Sequence, residues 1–342
     1  MNDTNAAVPL ADGIFSIEVV PPARGAGLED LFAAVETLLP YGPSKVSVTD
    51  HPAGPPDGAP LPGGGFARSG PRSKPGTLGT ALALQSAFRV RAVPHLVSRG
   101  ADRYAMEDLL IDLHYAGFRE LFVVRGDDRF HRDPGDAGAG PESPVRGYSS
   151  AADLVAHVAA LNRGEYLPPA EPGKPTDFRV GVAGYPEKHF AAPNKEADLR
   201  KLKEKVDAGA SYIVTQMVFD ARRYFEFVAA LRGAGIAVPV IPGIKPLTRA
   251  SQAAAVPRNF FVDLPDSLLR SLEGARTPEE ERSVGIRAAA RLAEDLLSGG
   301  APALHFFTMG RGGATRDVLD AVFGGPEGAR IRGAAGFGGN IQ

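Results

Sequence analysis

Apolar, β-rich runs alternate with helical periodicity along almost the whole chain. Residues 15–20 read Phe-Ser-Ile-Glu-Val-Val, which is typical of a buried strand, and apolar positions then recur every three or four residues over residues 28–39, as in an amphipathic helix. The same alternation continues toward the C-terminus. Eight strands are predicted in this way, over residues 15–20, 45–49, 91–96, 120–124, 179–183, 211–215, 238–241 and 304–307.

Helix boundary signals support the same units. Asp220 fits an N-cap, and the capping box that begins at Thr277 fits the start of a long helix. Repeated strand–helix units predict an α/β fold, a (β/α)8 TIM barrel that forms a single catalytic domain. A doubly wound sheet is the alternative, but no G-x-G-x-x-G motif lies between a strand and a helix.

The predicted barrel spans residues 14–325, between a flexible N-terminus at residues 1–13 and a C-terminal tail at residues 326–342. Two long insertions rich in Gly and Pro, residues 50–76 and 126–149, follow the second and fourth strands. Loops of this length inside a compact domain are usually functional or mobile. Both follow the carboxyl end of a strand, which is where barrels place their sites.

The composition excludes several classes of protein. The 342 residues include no Cys, which excludes disulfide scaffolds, thiolate metal sites and catalytic cysteines. The net charge of −2 provides no basic field for nucleic acid, and the seven scattered His residues predict no metal site. No apolar run is long enough to span a membrane, and the N-terminus does not resemble a signal peptide. We therefore expect a cytoplasmic protein.

Polar residues lie within or directly after several predicted strands. Glu18 interrupts an apolar strand, where burial is expected to raise its pKa toward that of a general acid, unless it forms a salt bridge in the barrel mouth. Arg125, Gly126 and Asp127 follow the fourth strand and fit either a ligand-binding loop or a turn. Other candidates, each of which also fits a structural role, are His95, Gln216 and Arg311.

A polar run follows the fifth predicted strand. Residues 185–189 read Tyr-Pro-Glu-Lys-His, and the next helix carries Asp198 and Lys205 seven residues apart, hence on one face. Spacing alone favours a surface ion-pair row over a ligand site.

Nine motifs resemble, in order, those of the methylenetetrahydrofolate reductases, flavin-dependent folate enzymes of the methionine pathway. They run from about residue 14 to residue 325, nearly the whole chain, and together they are highly specific. The motifs are FSIEVVPP (15–22), VSVT (46–49), VPHL (93–96), VRGD (124–127), VAGYPEKH (182–189), ADLRKLKEKVDAGA (197–210), IVTQMVFD (213–220), IPGIKP (241–246) and LHFFTMGR (304–311).

The resemblance implies a barrel that binds FAD at its carboxyl face and reduces 5,10-methylenetetrahydrofolate to 5-methyltetrahydrofolate with NAD(P)H by a ping-pong scheme. It implies Glu18 as general acid and Asp127 as a residue beside the flavin and the pterin. Homo-oligomers are expected. Implied substrate contacts are Gln216, Gln252 and Arg311 for folate and Thr49 for the nicotinamide, and implied FAD contacts are His95, Arg125, Gly126, Asp127, Tyr185, His189, Asp198 and Lys205.

The chain departs from the family pattern in two places. Residues 50–54 read Asp-His-Pro-Ala-Gly where the family commonly has a Gly-rich loop, and Val256 stands where the family can carry a Phe that packs on ligand. Flavin-independent hydride transfer and a non-catalytic folate- or flavin-binding barrel are the alternatives. An aldolase-like barrel is disfavoured because no lysine at a strand end suggests a Schiff base.

Overall fold

Eight parallel strands form a closed barrel in which each strand pairs with the next and the last pairs with the first. The structure is a computed structural model that describes residues 13–51, 74–99, 101–126 and 147–334. The predicted (β/α)8 barrel is confirmed. The strands are β1 Phe15–Val19, β2 Val46–Val48, β3 Ala92–Val97, β4 Glu120–Val124, β5 Arg179–Gly184, β6 Tyr212–Met217, β7 Val240–Ile244 and β8 Leu304–Phe307.

Helices connect the strands and cover the outside of the barrel. A short 3-10 helix, Leu39–Tyr41, precedes β2. Within the described residues the α-helices are α1 Glu29–Glu36, α2 Thr77–Phe88, α3 Arg103–Tyr115, α4 Ala151–Leu161, α5 Lys195–Asp207, α6 Ala221–Gly233, α7 Gln252–Phe260, α8 Asp266–Glu273, α9 Pro278–Ser298, α10 Gly313–Phe323 and α11 Pro326–Ala334. None of the helices in this part of the chain is both long and apolar enough to cross a membrane.

Side chains along the strands alternate between the barrel interior and the surrounding helices, as expected for a barrel. The interior cluster includes Phe122, Val214 and Ile241. The larger cluster, which includes Ile17 and Leu121, packs the strands against the surrounding helices. Inward-facing positions near the strand ends are therefore the ones that can carry a site.

A buried ion pair lies at the amino end of the barrel. Lys45 Nζ donates to Glu120 Oε1 at 2.5 Å, and the two side chains are only 8% and 7% exposed. The same ammonium group lies 3.8 Å from the ring centroid of Tyr212. Burial by itself raises the pKa of Glu120, but the charge of Lys45 holds it below its ordinary value. This carboxylate is satisfied within the protein.

Several boundaries differ from the sequence prediction. The seventh strand ends at Ile244, three residues later than predicted, and the helix predicted over residues 28–39 ends at Glu36 before a 3-10 turn. Helix α11 lies in the segment predicted as a tail, where Pro326 suits the first helical turn and Ala329 is buried. Most of the two long insertions, residues 52–73 and 127–146, lies outside the described residues.

Candidate active site

A buried carboxylate, Glu18, lies at the carboxyl end of β1 in the mouth of the barrel. Its side chain is 13% exposed, and Glu18 Oε2 is 3.7 Å from Nε2 of His305 on β8 and 3.8 Å from Nε2 of His95 on β3. The ring of His95 packs against Phe122, with centroids 4.7 Å apart. Three polar side chains from separate strands therefore meet at one place in the mouth.

The charge balance around Glu18 differs from the sequence expectation. Burial by itself raises the pKa of this carboxyl, but the hydrogen-bonding contribution of His305 and the charges of His95, His305 and His51 hold it below its ordinary value. The expectation of a raised pKa is therefore wrong, because imidazoles from other parts of the barrel surround the carboxylate. Burial lowers the pKa of His95 to about 4, so this ring is neutral near pH 7.

A hydrogen bond between His305 and Ser16 lies behind Glu18, whose Oε2 is 3.7 Å from His305 Nε2. His305 Nδ1 lies 2.8 Å from Ser16 Oγ, and both residues are buried. When the Ser16 hydroxyl donates to Nδ1, the neutral His305 ring carries its proton on Nε2, the nitrogen that faces Glu18. Ser16, His305 and Glu18 can thus hold or pass a proton at the mouth.

A β-bulge orients Gln216 at the end of β6. The register between β6 and β7 shifts between Val214 and Met217. The Thr215 hydroxyl supports this bulge by accepting from the Gly243 N–H at 2.9 Å and donating to the Gln216 carbonyl at 2.7 Å. Gln216 Oε1 accepts the N–H of Met217. Its Nε2 has no partner among the described residues, so the amide N–H groups can donate to a ligand.

The other predicted substrate residues lie after β2, β7 and β8. Gln252 begins α7, and its Oε1 accepts the Thr248 N–H at 2.7 Å, so this oxygen holds the loop that leads into the helix. Thr49 Oγ1 lies 3.1 Å from Nε2 of His51. Arg311 follows β8 and is exposed. Each of these side chains stands beyond the carboxyl end of its strand.

A cavity of about 260 Å³ opens beside the carboxyl end of β5, between α5 and α6, and Tyr185, Asp198 and Lys205 line it. Lys205 donates to the carbonyl of Ala183 at 2.6 Å, and burial lowers its pKa to about 8 against the opposing charge of Asp198. Asp198 accepts the His189 N–H at 2.9 Å. Both charged residues are half-buried in the cavity wall, and the alternative of an exposed ion-pair row does not fit them.

The donors and acceptors of this cavity suit a dinucleotide. A lysine ammonium pairs with phosphate, a carboxylate accepts ribose hydroxyls, and Tyr185 supplies an aromatic ring that packs edge-on against His189 with centroids 4.7 Å apart. After β4, Arg125 is followed by Gly126, which has φ +93° and whose Cβ, if present, would lie 2.5 Å from Val97. Only glycine fits this turn.

The structure brings two sets of the predicted site residues together. Asp127 lies outside the described residues. Within the part of the chain that is described, no cluster of three or more His, Asp or Glu side chains is suited to a metal ion. Glu18 and His95 contact each other in the barrel mouth, and Tyr185, His189, Asp198 and Lys205 form a second group beside β5. The remaining described residues stand at or beyond the carboxyl ends of their strands: Thr49, Arg125, Gly126, Gln216, Gln252 and Arg311.

Sequence reasoning missed three polar residues at inward-facing positions. Ser16 and His305 form the hydrogen bond described above. Lys245 directly follows β7 and is 9% exposed, so a buried lysine lies at a strand end that the sequence analysis did not single out. The signal was present, because a charged residue directly follows the apolar run Ile-Pro-Gly-Ile.

A barrel with a buried carboxylate and two imidazoles at its carboxyl mouth has the organisation of a (β/α)8 enzyme. The sequence profile described as methylenetetrahydrofolate reductase matches residues 5–322. The chain is 30% identical over 297 residues to the 5,10-methylenetetrahydrofolate reductase of Salmonella typhimurium, with 86% of each chain covered. The chain belongs to the methylenetetrahydrofolate reductase family.

Relatives from plants are longer. A probable methylenetetrahydrofolate reductase (NADH) from Oryza sativa subsp. japonica is 29% identical over 311 residues, covering 87% of this chain and 46% of the relative. The chain thus spans about half the length of the plant relatives that it matches.

A solved structure has the same fold. It is an uncharacterized protein from Clostridium thermocellum that binds two copies of 5-methyl-5,6,7,8-tetrahydrofolic acid, with a TM-score of 0.54, 12% identity and coverage of 91% of this chain and 94% of that chain. At this identity the likeness shows the fold alone.

Proposed function

We propose that the chain reduces 5,10-methylenetetrahydrofolate to 5-methyltetrahydrofolate, with NAD(P)H as the source of hydride. Family membership supports this reaction. The observation that carries it is Glu18, buried in the mouth beside His95 and His305. Opening the five-membered ring of the substrate requires a proton donor at such a position. One folate, one NAD(P)H and one proton give one 5-methyl product and one NAD(P)⁺.

Glu18 is the proposed general acid. Its proton goes to N10 of the folate as the bond from N10 to the methylene carbon breaks, and the resulting 5-iminium cation accepts hydride at that carbon. Folate in the mouth excludes water from Glu18 and raises its pKa, which opposes the effect of the surrounding imidazoles. His305, hydrogen-bonded to Ser16 and 3.7 Å from Glu18, is the group from which the carboxylate would regain a proton.

The substrate is held by side chains around the mouth. Gln216 donates from Nε2 to the pterin, and Gln252 uses its amide N–H groups, since its oxygen already accepts from Thr248. Arg311 contacts polar groups of the folate, and Thr49 lies beside the nicotinamide. Asp127 as the residue that stabilises the folate cation stays a prediction.

FAD is the proposed hydride carrier, and Lys205, Asp198 and Tyr185 would hold it, with the β5 cavity as the supporting observation. When bound, FAD would supply hydride transfer between NAD(P)H and folate, and the two substrates would use one mouth in turn. Homo-oligomers and a cytoplasmic location stay predictions. The remaining proposed contacts are His95, Arg125, Gly126 and His189.

The test follows both half-reactions of the purified protein. We expect NADH to bleach the flavin absorbance and methylenetetrahydrofolate to restore it, with 5-methyltetrahydrofolate identified by mass spectrometry. Glu18→Gln should slow folate reduction by about 10²- to 10⁴-fold and leave the bleaching by NADH intact. The exposed Glu36→Gln is the control, with both steps unchanged.

Three results contradict parts of the proposal. No 5-methyl product from the wild-type protein refutes the reaction and favours a binding barrel. Undiminished folate reduction by Glu18→Gln refutes the role of this carboxyl. A colourless protein that still oxidises NADH with folate supports direct hydride transfer in place of FAD.

A further inference from the structure

Lys245 is a buried lysine without a counter-ion among the described residues. The side chain is 9% exposed, and burial lowers the pKa of its amine. Among the described residues none pairs with it or accepts a hydrogen bond from it. Burying an ammonium group alone is costly, and lysine is almost never buried without a partner. At the amino end of the barrel, by contrast, Lys45 is paired with Glu120.

Strand register brings Lys245 to the level of Glu18. Ile244 pairs with Phe306, so Lys245 comes beside Phe307 on β8. Glu18 on β1 pairs with Phe307 from the other side. Because neighbouring strands lie about 4.8 Å apart, the backbones of Lys245 and Glu18 are separated by about 10 Å.

Alternation along β7 directs Lys245 to the barrel interior. Ile241 belongs to the interior cluster, and a Cβ on Gly243 would meet the ring of Phe307. Ile244 belongs to the outer cluster beneath the helices. Lys245 is two residues beyond Gly243 and therefore continues the inward face. Its side chain thus points toward the mouth in which Glu18 stands.

We propose that Lys245 binds an anionic oxygen of a substrate in this mouth. The inference rests on the proposed function, whose two substrates both carry such oxygens: the phosphates of the nicotinamide dinucleotide and the carboxylates of the folate glutamate. A lysine ammonium has three donors and a full charge, which match either group. Lys245 is then a substrate-binding residue on the side of Phe307 opposite to Glu18.

The first test compares wild-type protein with Lys245→Met, which keeps the length of the side chain and removes the charge. Binding is measured by calorimetry with NAD⁺ and with folic acid, which do not turn over. The affinity for the ligand whose oxygen Lys245 binds should fall about 10- to 100-fold, and the affinity for the other should stay within about twofold. Lys245→Arg should retain most of the affinity, and Lys245→Gln should lose it.

Truncated ligands identify the oxygen. If Lys245 binds a phosphate, nicotinamide riboside, which has none, should bind wild-type and Lys245→Met protein equally. If Lys245 binds a carboxylate of the glutamate, the simple amide of pteroic acid, which lacks both carboxylates, should bind wild-type and Lys245→Met protein equally. The exposed Lys201→Met is the matched control and should change neither affinity, because this side chain is 68% exposed on α5 and pairs with Glu204.

Stability provides a second measurement. Lys245→Met removes an unpaired buried charge, so its melting temperature should rise while ligand affinity falls. Unchanged affinity for both ligands overturns the proposal, and a lower melting temperature together with unchanged affinity assigns Lys245 a structural role. Failure of the proposed function has a different signature, namely no 5-methyl product from the wild-type protein.

Discussion

The two ends of the barrel each hold a buried carboxylate, but with different surroundings. At the amino end Glu120 accepts a hydrogen bond from Lys45 at 2.5 Å. At the carboxyl end Glu18 faces two imidazoles at 3.7 and 3.8 Å, and Lys245 has no counter-ion among the described residues. One end satisfies its charges within the protein, whereas the other leaves donors and acceptors for a ligand.

The position of a residue along its strand determines whether it lies at the amino or the carboxyl end of the barrel. Glu120 is the first residue of β4, and Arg125 directly follows the same strand. The first belongs to the ion pair at the amino end, and the second is an expected cofactor contact at the carboxyl end. All eight strands are parallel, so every strand start contributes to the first region and every strand end to the second. The difference between the regions predicts different responses to substitution.

The largest expected effect is on stability at the amino end. Glu120→Ala leaves Lys45 buried without its partner and should lower the free energy of unfolding by about 3–5 kcal/mol, measured by urea unfolding at pH 7. Replacing both partners by apolar residues, as in Lys45→Met with Glu120→Leu, should cost much less, because no charge remains unpaired.

Replacing the carboxylate at the carboxyl end, Glu18→Gln, should cost much less stability than Glu120→Ala. The imidazole contacts of Glu18 are longer, so we expect a loss of about 1 kcal/mol at most in the free energy of unfolding. If Glu120→Ala and Glu18→Gln lose equal stability, the amino end does not differ from the carboxyl end in how much its carboxylate stabilises the fold.

Much of the fold was predictable because each unit carries local signals. The cap at Asp220 is confirmed by its hydrogen bond from the Arg222 N–H at 2.8 Å, and the cap at Thr277 by its bond from the Glu280 N–H at 3.2 Å. Helix α4 was missed because Ala151–Leu161 is apolar on most of its surface and lacks a clear polar face. Local periodicity is informative only where one face of the helix meets water.

The site was only partly predictable because barrel closure is a long-range event. Glu18 was found from its own strand, since a carboxylate among apolar residues needs an explanation. His305 was missed because its contact with Ser16 joins residues 289 positions apart. The same distant imidazoles explain the wrong expectation for the pKa of Glu18, since no local pattern indicates which strand lies beside β1.

The pH dependence of stability should show an effect somewhat smaller than that of Glu120→Ala. Burial lowers the pKa of His95 to about 4, from an ordinary value of about 6.5. Between these pH values the unfolded chain binds a proton that the folded protein does not, so stability is lost as the pH falls through this window. The contribution is about 3 kcal/mol. His95→Asn should therefore flatten the dependence in urea unfolding between pH 7 and pH 4.5.

His114 on α3 provides the control for this titration. It is 26% exposed and lies 3.3 Å from Asp177, outside the barrel. His114→Asn should keep the loss of stability that the wild-type protein shows toward pH 4.5. A wild-type slope retained by His95→Asn would show that the buried imidazole does not produce it.

The smallest effect concerns the cavity beside β5. Burial lowers the pKa of Lys205 to about 8, so the ammonium form that pairs with phosphate is lost as the pH rises above this value. FAD should therefore dissociate more readily at pH 9 than at pH 7, measured by equilibrium dialysis. Lys205→Met should weaken binding about tenfold at pH 7, or about 1.4 kcal/mol, and remove the dependence above pH 8.

Lys203 on the same helix is the matched control, because it is 39% exposed and pairs with Asp207 on the surface. Lys203→Met should bind FAD as the wild-type protein does at both pH values. If Lys203→Met and Lys205→Met bind FAD equally well, Lys205 has a structural role, as Lys45 has at the amino end, and does not bind the cofactor. If only Lys205→Met weakens FAD binding, the ligand-binding part of the molecule includes the β5 cavity as well as the barrel mouth.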